Sequence, residues 1–409
     1  MTERISAEIA IIGGGVIGLA TAIRLRSDGR EVTIIEPNPP SSSAAYGSAG
    51  TIADYATIPV GSPAVLRNLP SLLFDRDSPL LIRQAALPAL MPWLIRFAYQ
   101  SLPHNYRRNA AALAPMLADA LPAWRELASA AHGEDLLQES GCLYLYDSKA
   151  AFALASSEIA QRRCHDVAQH LLTADEISAL EPKLPPFEGG GLFFPNAAHL
   201  TDPGIMMERL VKAAKAMGVE FVKARAERVE RSGQGVRVSS PSFDLTAETV
   251  IIAAGAHSKA LAAQAGDRVP LDTERGYHIE FDMETPLLSR PVSPAARGFY
   301  LIPMAGRLRV AGTVELGGLS APANPGRLAL LERGANAVFT KLGKPDRTWL
   351  GFRPSMPDSV PVIRPSRGGG NVILAFGHGH LGLTLAPVTA RMISQVIASY
   401  APDIGGVND

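Results

Sequence analysis

The chain has 409 residues, 47% of them hydrophobic, with 39 basic and 39 acidic side chains. That length and apolar content allow two domains with sizeable cores and exclude a disordered chain, while the balanced charge, without any Lys/Arg run, excludes a nucleic-acid binder. No stretch of about 20 apolar residues occurs, the N-terminus holds a short strand where a secretory signal would need a longer apolar run, and the two cysteines, Cys142 and Cys164, lack disulfide or zinc spacing, so a cytoplasmic protein is expected.

The first element is the apolar run Ile9, Ile11, Ile12, suited to a buried parallel strand and followed by Gly13, Gly15 and Gly18. That spacing serves a tight turn, a close backbone approach to a pyrophosphate and close helix packing. The helix predicted over Val16–Ser27 offers unpaired N-terminal N–H groups to phosphate oxygens, Val16 and Ile17 among them. A second strand over 31–35 ends in Glu36, placed to accept both ribose hydroxyls of an adenosine, with Pro37 beside it. Strand, turn, helix, strand and acid in that order point to a bound dinucleotide. The loop 46–51 is made of small residues that bury little area and suits a backbone lying flat beside a planar ring.

Between Leu80 and Ala131 apolar positions recur at helical spacing (Leu87, Leu90, Leu94; Leu113, Leu117, Leu121, Trp124), interrupted by prolines. These helices bury their apolar faces on the protein; a minor alternative is an apolar hairpin on a membrane interface, flanked by Arg83, Arg96, Arg107 and Arg108. Strand-like runs follow at 142–146, 191–195, 277–281, 298–302 and 308–312, the later ones without crossover helices, which predicts an antiparallel sheet. Within this order lie an N-capped helix from Asp202-Pro203 to Gly218, a strand at 220–223 and a hairpin at 227–231 and 236–239. The strand ending in Ala253-Ala254-Gly255 shows the chain re-entering the nucleotide domain. A last apolar strand, 372–376, turns at Gly377–Thr384 into a helix whose positive end is free for an anion.

The strand end Ala253-Ala254-Gly255 after the glycine-rich start looks like a signature of two-dinucleotide-binding flavoproteins, favouring FAD over NAD. With Ala44-Ala45-Tyr46-Gly47-Ser48-Ala49-Gly50, Glu274-Arg275-Gly276-Tyr277-His278, Gly351-Phe352-Arg353-Pro354 and Gly377-His378-Gly379-His380-Leu381-Gly382-Leu383-Thr384, the chain resembles the D-amino-acid oxidase superfamily along nearly its whole length. Within that superfamily it looks most like bacterial D-amino-acid and D-hydroxyproline dehydrogenases. The resemblance implies an α/β FAD domain of the two-dinucleotide-binding, Rossmann-like type (1–85, 200–267 and 350–409) and an α+β substrate domain on an antiparallel sheet with helices (86–199 and 268–349). It places Ala44, Ala45, Gly47, Ser48, Ala49, Gly50, Thr51, Val229, Ala253, Ala254, Gly255, Gly379, His380, Leu381, Gly382, Leu383 and Thr384 against FAD. Relatives usually carry a hydroxyl residue and an asparagine where this chain has Ala45 and Ser48.

In the superfamily the arginine at the position of Arg353 clamps the substrate carboxylate; the residues alone also allow a structural ion pair with Asp358. Tyr277 and His278 are adjacent in a strand, so only one faces the ligand, and Tyr277 is the one expected there. Tyr300 is a second phenol for the pocket wall, and His378 and His380 lie two apart without a carboxylate partner, so no metal is expected. The implied reaction is hydride transfer from the α-carbon of a small D-amino acid, of the D-proline or cis-4-hydroxy-D-proline type, to non-covalent FAD, since no cysteine follows Cys164 to make a C-terminal thioether. Broad D-amino-acid dehydrogenation, glycine- or sarcosine-type oxidation and a flavoprotein subunit of a larger complex are the alternatives. A quinone or respiratory carrier, rather than oxygen, is the implied electron acceptor, with peripheral contact to the inner membrane as a further expectation.

Overall fold

The computed structural model describes residues 4–67, 78, 80–233 and 235–400. The outer ends of the expected FAD domain, 1–3 and 401–409, lie outside the described residues, as do 68–77 within it.

A parallel sheet organises the first unit. β1 (Arg4–Ile12) lies between β2 (Val32–Ile35) and β13 (Phe243–Ile252), β10 (Glu220–Val222) flanks β2, and β20 (Gly369–Phe376) flanks β13, all parallel. β11 (Arg228–Ser232) and β12 (Gly235–Ser240) form a hairpin that adds to β13 antiparallel, and β19 (Val362–Ser366) turns back on β20. β1 reads as an unbroken apolar run because both its faces are buried: Ile9 and Ile11 join one core cluster, Ala10 and Ile12 the other. The first cluster is roofed by α1 (Val16–Ser27), α4 (Ala120–Ala130), α5 (Pro203–Ala216) and α7 (Ala386–Tyr400).

The second unit is a larger, mostly antiparallel sheet. Its order is β18 (Arg347–Ser355), β14 (Asp272–Asp282), β17 (Arg307–Leu316), β16 (Phe299–Met304), β15 (Val292–Pro294), β6 (Cys142–Leu145), β8 (Gly191–Phe194) and β7 (His170–Leu172). β4 (Leu80–Ile82) pairs parallel with β17, and β15 pairs parallel with β6. One face of this sheet is closed by α6 (Pro325–Val338) over Tyr277, Ile279, Phe281, Leu301 and Val310. A short sheet of β3 (Thr51–Ile52), β9 (Ala198–Leu200) and β5 (Leu137–Gln138) bridges the units.

The helices of 87–130 divide their allegiance. Leu90 and Trp93 of α2 (Leu87–Gln100) pack beside Leu316, Leu80 and Ile82, whereas Leu113 and Leu117 of α3 (Pro103–Ala118) meet Leu381 and Leu385. α4 sits wholly in the first core: Trp124 is fully buried and its indole N–H donates to Leu383 O at 2.9 Å. Residues 120–130 therefore pack with the nucleotide unit, although sequence order groups them with the other. On α2, Met91, Ile95 and Tyr99 remain exposed one turn apart, with Leu102 beyond them.

Candidate active site

At the adenosine end, each glycine of the first turn does a different job. Gly13 has φ +114°, and a Cβ there would collide with the Ala253 carbonyl; a Cβ on Gly18 would run into Gly13 O. Gly15 has open space where its Cβ would be, and α1 carries neither a side-chain cap nor an acidic first turn. Its N–H groups are thus free for an anion beside a backbone that lets one approach. Glu36, at the end of β2, accepts from Gly14 N at 2.8 Å and from Asn38 N at 2.9 Å, which fixes its carboxylate against the turn. Ala253 follows directly, its N–H bonded to Ile12 O, and Ala254 and Gly255 lie half-buried past the strand end.

The loop 44–51 is tied to the larger sheet through its carbonyls. His278 Nδ1 donates to Gly47 O at 2.8 Å, and Arg309, itself held by Glu280, donates to Ser48 O. Trp349 stacks on His278, ring centroids 5.3 Å apart, and lies flat over Gly351 and against Gly47, where a Cβ would strike the indole. Thr51 O and Ala53 N are joined by the Thr384 hydroxyl, so the loop and the C-terminal turn form one wall. Gly379–Leu381 is a 3-10 turn, and regular helix begins only at Ala386.

The sheet brings the remaining expected residues together on one face. Opposite the face closed by α6 stand Glu274, Gly276 and His278 of β14, facing Arg353, Gly351 and Trp349 across the β14–β18 register. Ala311 and Tyr300 continue this face on β17 and β16. Arg353 lies flat on Gly276, whose Cβ would clash with the guanidinium, and its only hydrogen bond among the described residues is a long one, Nη1 to Thr313 O at 3.4 Å. It makes no ion pair among the described residues, and burial pushes its pKa down with only Glu274 opposing. Asp358 does not serve it: that carboxylate accepts from Val360 N within its own turn. His380 is exposed, and desolvation by the surrounding protein together with the Arg353 charge pushes its pKa down to about 4. His378 is different. It is buried, bonded to the Thr389 hydroxyl at 2.9 Å, and pushed down to about 3 by burial. Tyr300 completes the wall, its hydroxyl 2.6 Å from that of Tyr144 and 3.4 Å from that of Tyr55, with burial raising its pKa to about 12.

Two expectations are corrected. Tyr277 does not face the cleft: its ring lies in the core under α6, its hydroxyl donates to Glu315 and accepts from Asn324 N at 3.2 Å. Alternation holds, but His278 is the member of the pair that faces the 44–51 loop and Arg353's side of the sheet. Val229 is buried in the second core cluster opposite Val238, and its N–H is spent on Gln264 Oε1 at 2.8 Å, which leaves neither side chain nor donor for a cofactor. The sequence reading also missed Trp349, Arg309, Trp124 and Glu274. Only Trp349 left a local trace, the neighbouring Gly351 that it covers.

The family model described as FAD dependent oxidoreductase matches residues 8–396. The chain belongs to this family. It is 34% identical over 408 residues to a D-amino-acid oxidase of Bradyrhizobium diazoefficiens, covering 97% of this chain and 96% of that one. It is 30% identical over 421 residues to D-amino acid dehydrogenase 2 of Ralstonia nicotianae, with 97% and 98% covered. Among solved structures it resembles glycine oxidase from Geobacillus kaustophilus (TM-score 0.74, 22% identity, 99% and 97% covered) and L-proline dehydrogenase from P. horikoshii (TM-score 0.74, 17% identity, 97% and 94% covered). These two likenesses concern the fold. The protein is an FAD-dependent amino-acid dehydrogenase or oxidase, and the uncapped α1 start with the open flank of Gly15 fits the cofactor's pyrophosphate.

Proposed function

We propose that this flavoprotein oxidises a D-amino acid of the D-proline or cis-4-hydroxy-D-proline type to its imino acid. The observation that carries the reading is Arg353, a guanidinium that makes no ion pair among the described residues, on the face that also holds the 44–51 loop. Such a group is costly to bury unless an anion meets its planar fork, and a substrate carboxylate does so. Arg353 and Tyr300 hold the carboxylate end, His380 closes the side, and the protein's contribution to rate is orientation in a dry cleft. FAD, when bound, supplies the hydride acceptor. The D hand draws support from the relatives named for D-amino acids. A quinone or another respiratory carrier takes the electrons onward, and the exposed Met91, Ile95 and Tyr99 beside Arg96 give α2 a face suited to a membrane surface.

The test is anaerobic mixing of the yellow holoenzyme with D-proline, cis-4-hydroxy-D-proline, D-alanine and their L forms. Bleaching by the D-prolines, with reoxidation faster by a soluble quinone than by air, is the expected result. No bleaching by any amino acid would contradict the reading.

A further inference from the structure

An amino acid arrives mainly as an ammonium, and its α-hydrogen leaves as hydride only after the nitrogen lone pair has been freed. Some group must take that proton. Of the acids on the cleft face of β14, Glu280 is held by Arg307, Arg309 and Arg347, Asp282 by Arg347, and Asp272 accepts from the neighbouring Thr273 N, whereas Glu274 makes no ion pair among the described residues. It is the register partner of Arg353 on β18 and only 5% exposed. Glu274 lines a cavity of about 10 Å³, the size of one water, together with Ser355, Ser359, His378, His380 and the exposed Val60. Glu274 is thus the register partner of the residue assigned to the substrate carboxylate and also lines a water-sized cavity.

We propose that Glu274 accepts the ammonium proton of the bound substrate, directly or through one water in this cavity, and later gives it up to water. An N–H bond breaks, its electron pair stays on nitrogen, and the proton goes to a Glu274 oxygen. The neutral amine then forms the C=N bond as the α-hydrogen leaves with its electron pair. Burial raises the Glu274 pKa, opposed by the Arg353 charge and the Ser355 hydrogen bond, so the carboxylate is a stronger base than one in water. The groups around it are Arg353 and Ser355 from β18 and His378 and His380 from the turn, and both histidines have pKa values pushed down, that of His378 by burial and that of His380 by desolvation and the Arg353 charge. No other carboxylate on these elements competes for the proton.

This inference rests on the amino-acid-oxidising reading, and the experiment separates the two. Anaerobic stopped-flow reduction of the holoenzyme is followed from pH 6 to 10 with the best D-amino acid, for wild type, E274Q and E274D. The saturating reduction rate of E274Q is expected to fall at least tenfold at pH 7 and to recover as pH rises and the free substrate loses its own proton, while E274D keeps much of the wild-type profile. The Kd of cyclopentanecarboxylate, which has no amine, is expected to stay within about threefold in E274Q. Equal rates and profiles in wild type and E274Q would overturn the proposal, as would a parallel loss of carboxylate affinity, which would make Glu274 a positioning partner of Arg353 alone. A wild type that no amino acid reduces would instead sink the function itself.

Discussion

The two faces of β14 carry two buried arginine environments that differ in one respect. Beneath α6, Arg275 is fully buried and fully occupied: it pairs with Glu315 at 3.1 Å and donates to the carbonyls of Gly318, Ala321 and Pro322, while Tyr277, Arg83 and Asn324 complete the Glu315 carboxylate. On the cleft face, Arg353 has, among the described residues, one long bond to Thr313 O and no ion pair, only the charge of Glu274 across the register. The first arrangement has nothing left to offer a ligand. The second is incomplete, and incompleteness in a buried charge is where a substrate group belongs.

The largest expected effect is therefore on the open face. R353A should lower kcat/KM for D-amino acids by about 10²- to 10³-fold, mostly through KM, with FAD content unchanged. On the closed face, E315A strips the Arg275 charge of its partner and should cost about 3–5 kcal/mol of stability in denaturant unfolding. Y277F removes one hydrogen bond to that carboxylate and should cost about 1–3 kcal/mol while KM stays within twofold. A KM change larger than the stability change would return Tyr277 to the cleft. H278F, on the neighbouring position but the other face, should do the reverse: stability little altered, FAD affinity weakened by about fivefold for the lost bond to Gly47 O.

The smallest effect near neutrality is that of pH. His199, His278 and His378 are buried, with pKa values pushed down by burial to about 4, 4 and 3. The unfolded chain binds protons there below its ordinary histidine value of about 6.5, and the folded chain does not. Stability contributed by the neutral rings is thus complete above that pH and declines as pH falls from about 6.5 towards 4. A melting temperature that is flat from pH 8 to 7 and then drops progressively would show it; one that rises on acidification would not.

What could be read from the sequence was what acts locally. The first turn is legible because Gly13, Gly15 and Gly18 each answer a backbone demand within six residues, and the α1 bounds follow from it. Arg353 stood out because Leu350, Phe352 and Pro354 surround a charge. The orientation of the Tyr277–His278 pair was not legible, since alternation says that two neighbours diverge but not which one meets the loop. That choice is made by Gly47 O, 231 residues away, and by the Glu315 carboxylate. Trp124 and Arg309 act through Leu383 and Ser48 in the same long-range manner. Val229 was misplaced because a strand residue's backbone N–H cannot be assigned a partner before the neighbouring element, here Gln264, is known.

The central claim, that Arg353 is left open for a substrate carboxylate beside the 44–51 loop, is tested most directly by titrating the oxidised holoenzyme with cyclopentanecarboxylate and following the visible spectrum. A saturable perturbation of the flavin bands in wild type, weakened at least a hundredfold in R353A at equal FAD content, is the predicted result. Equal titration of both proteins would place the carboxylate elsewhere and contradict the account.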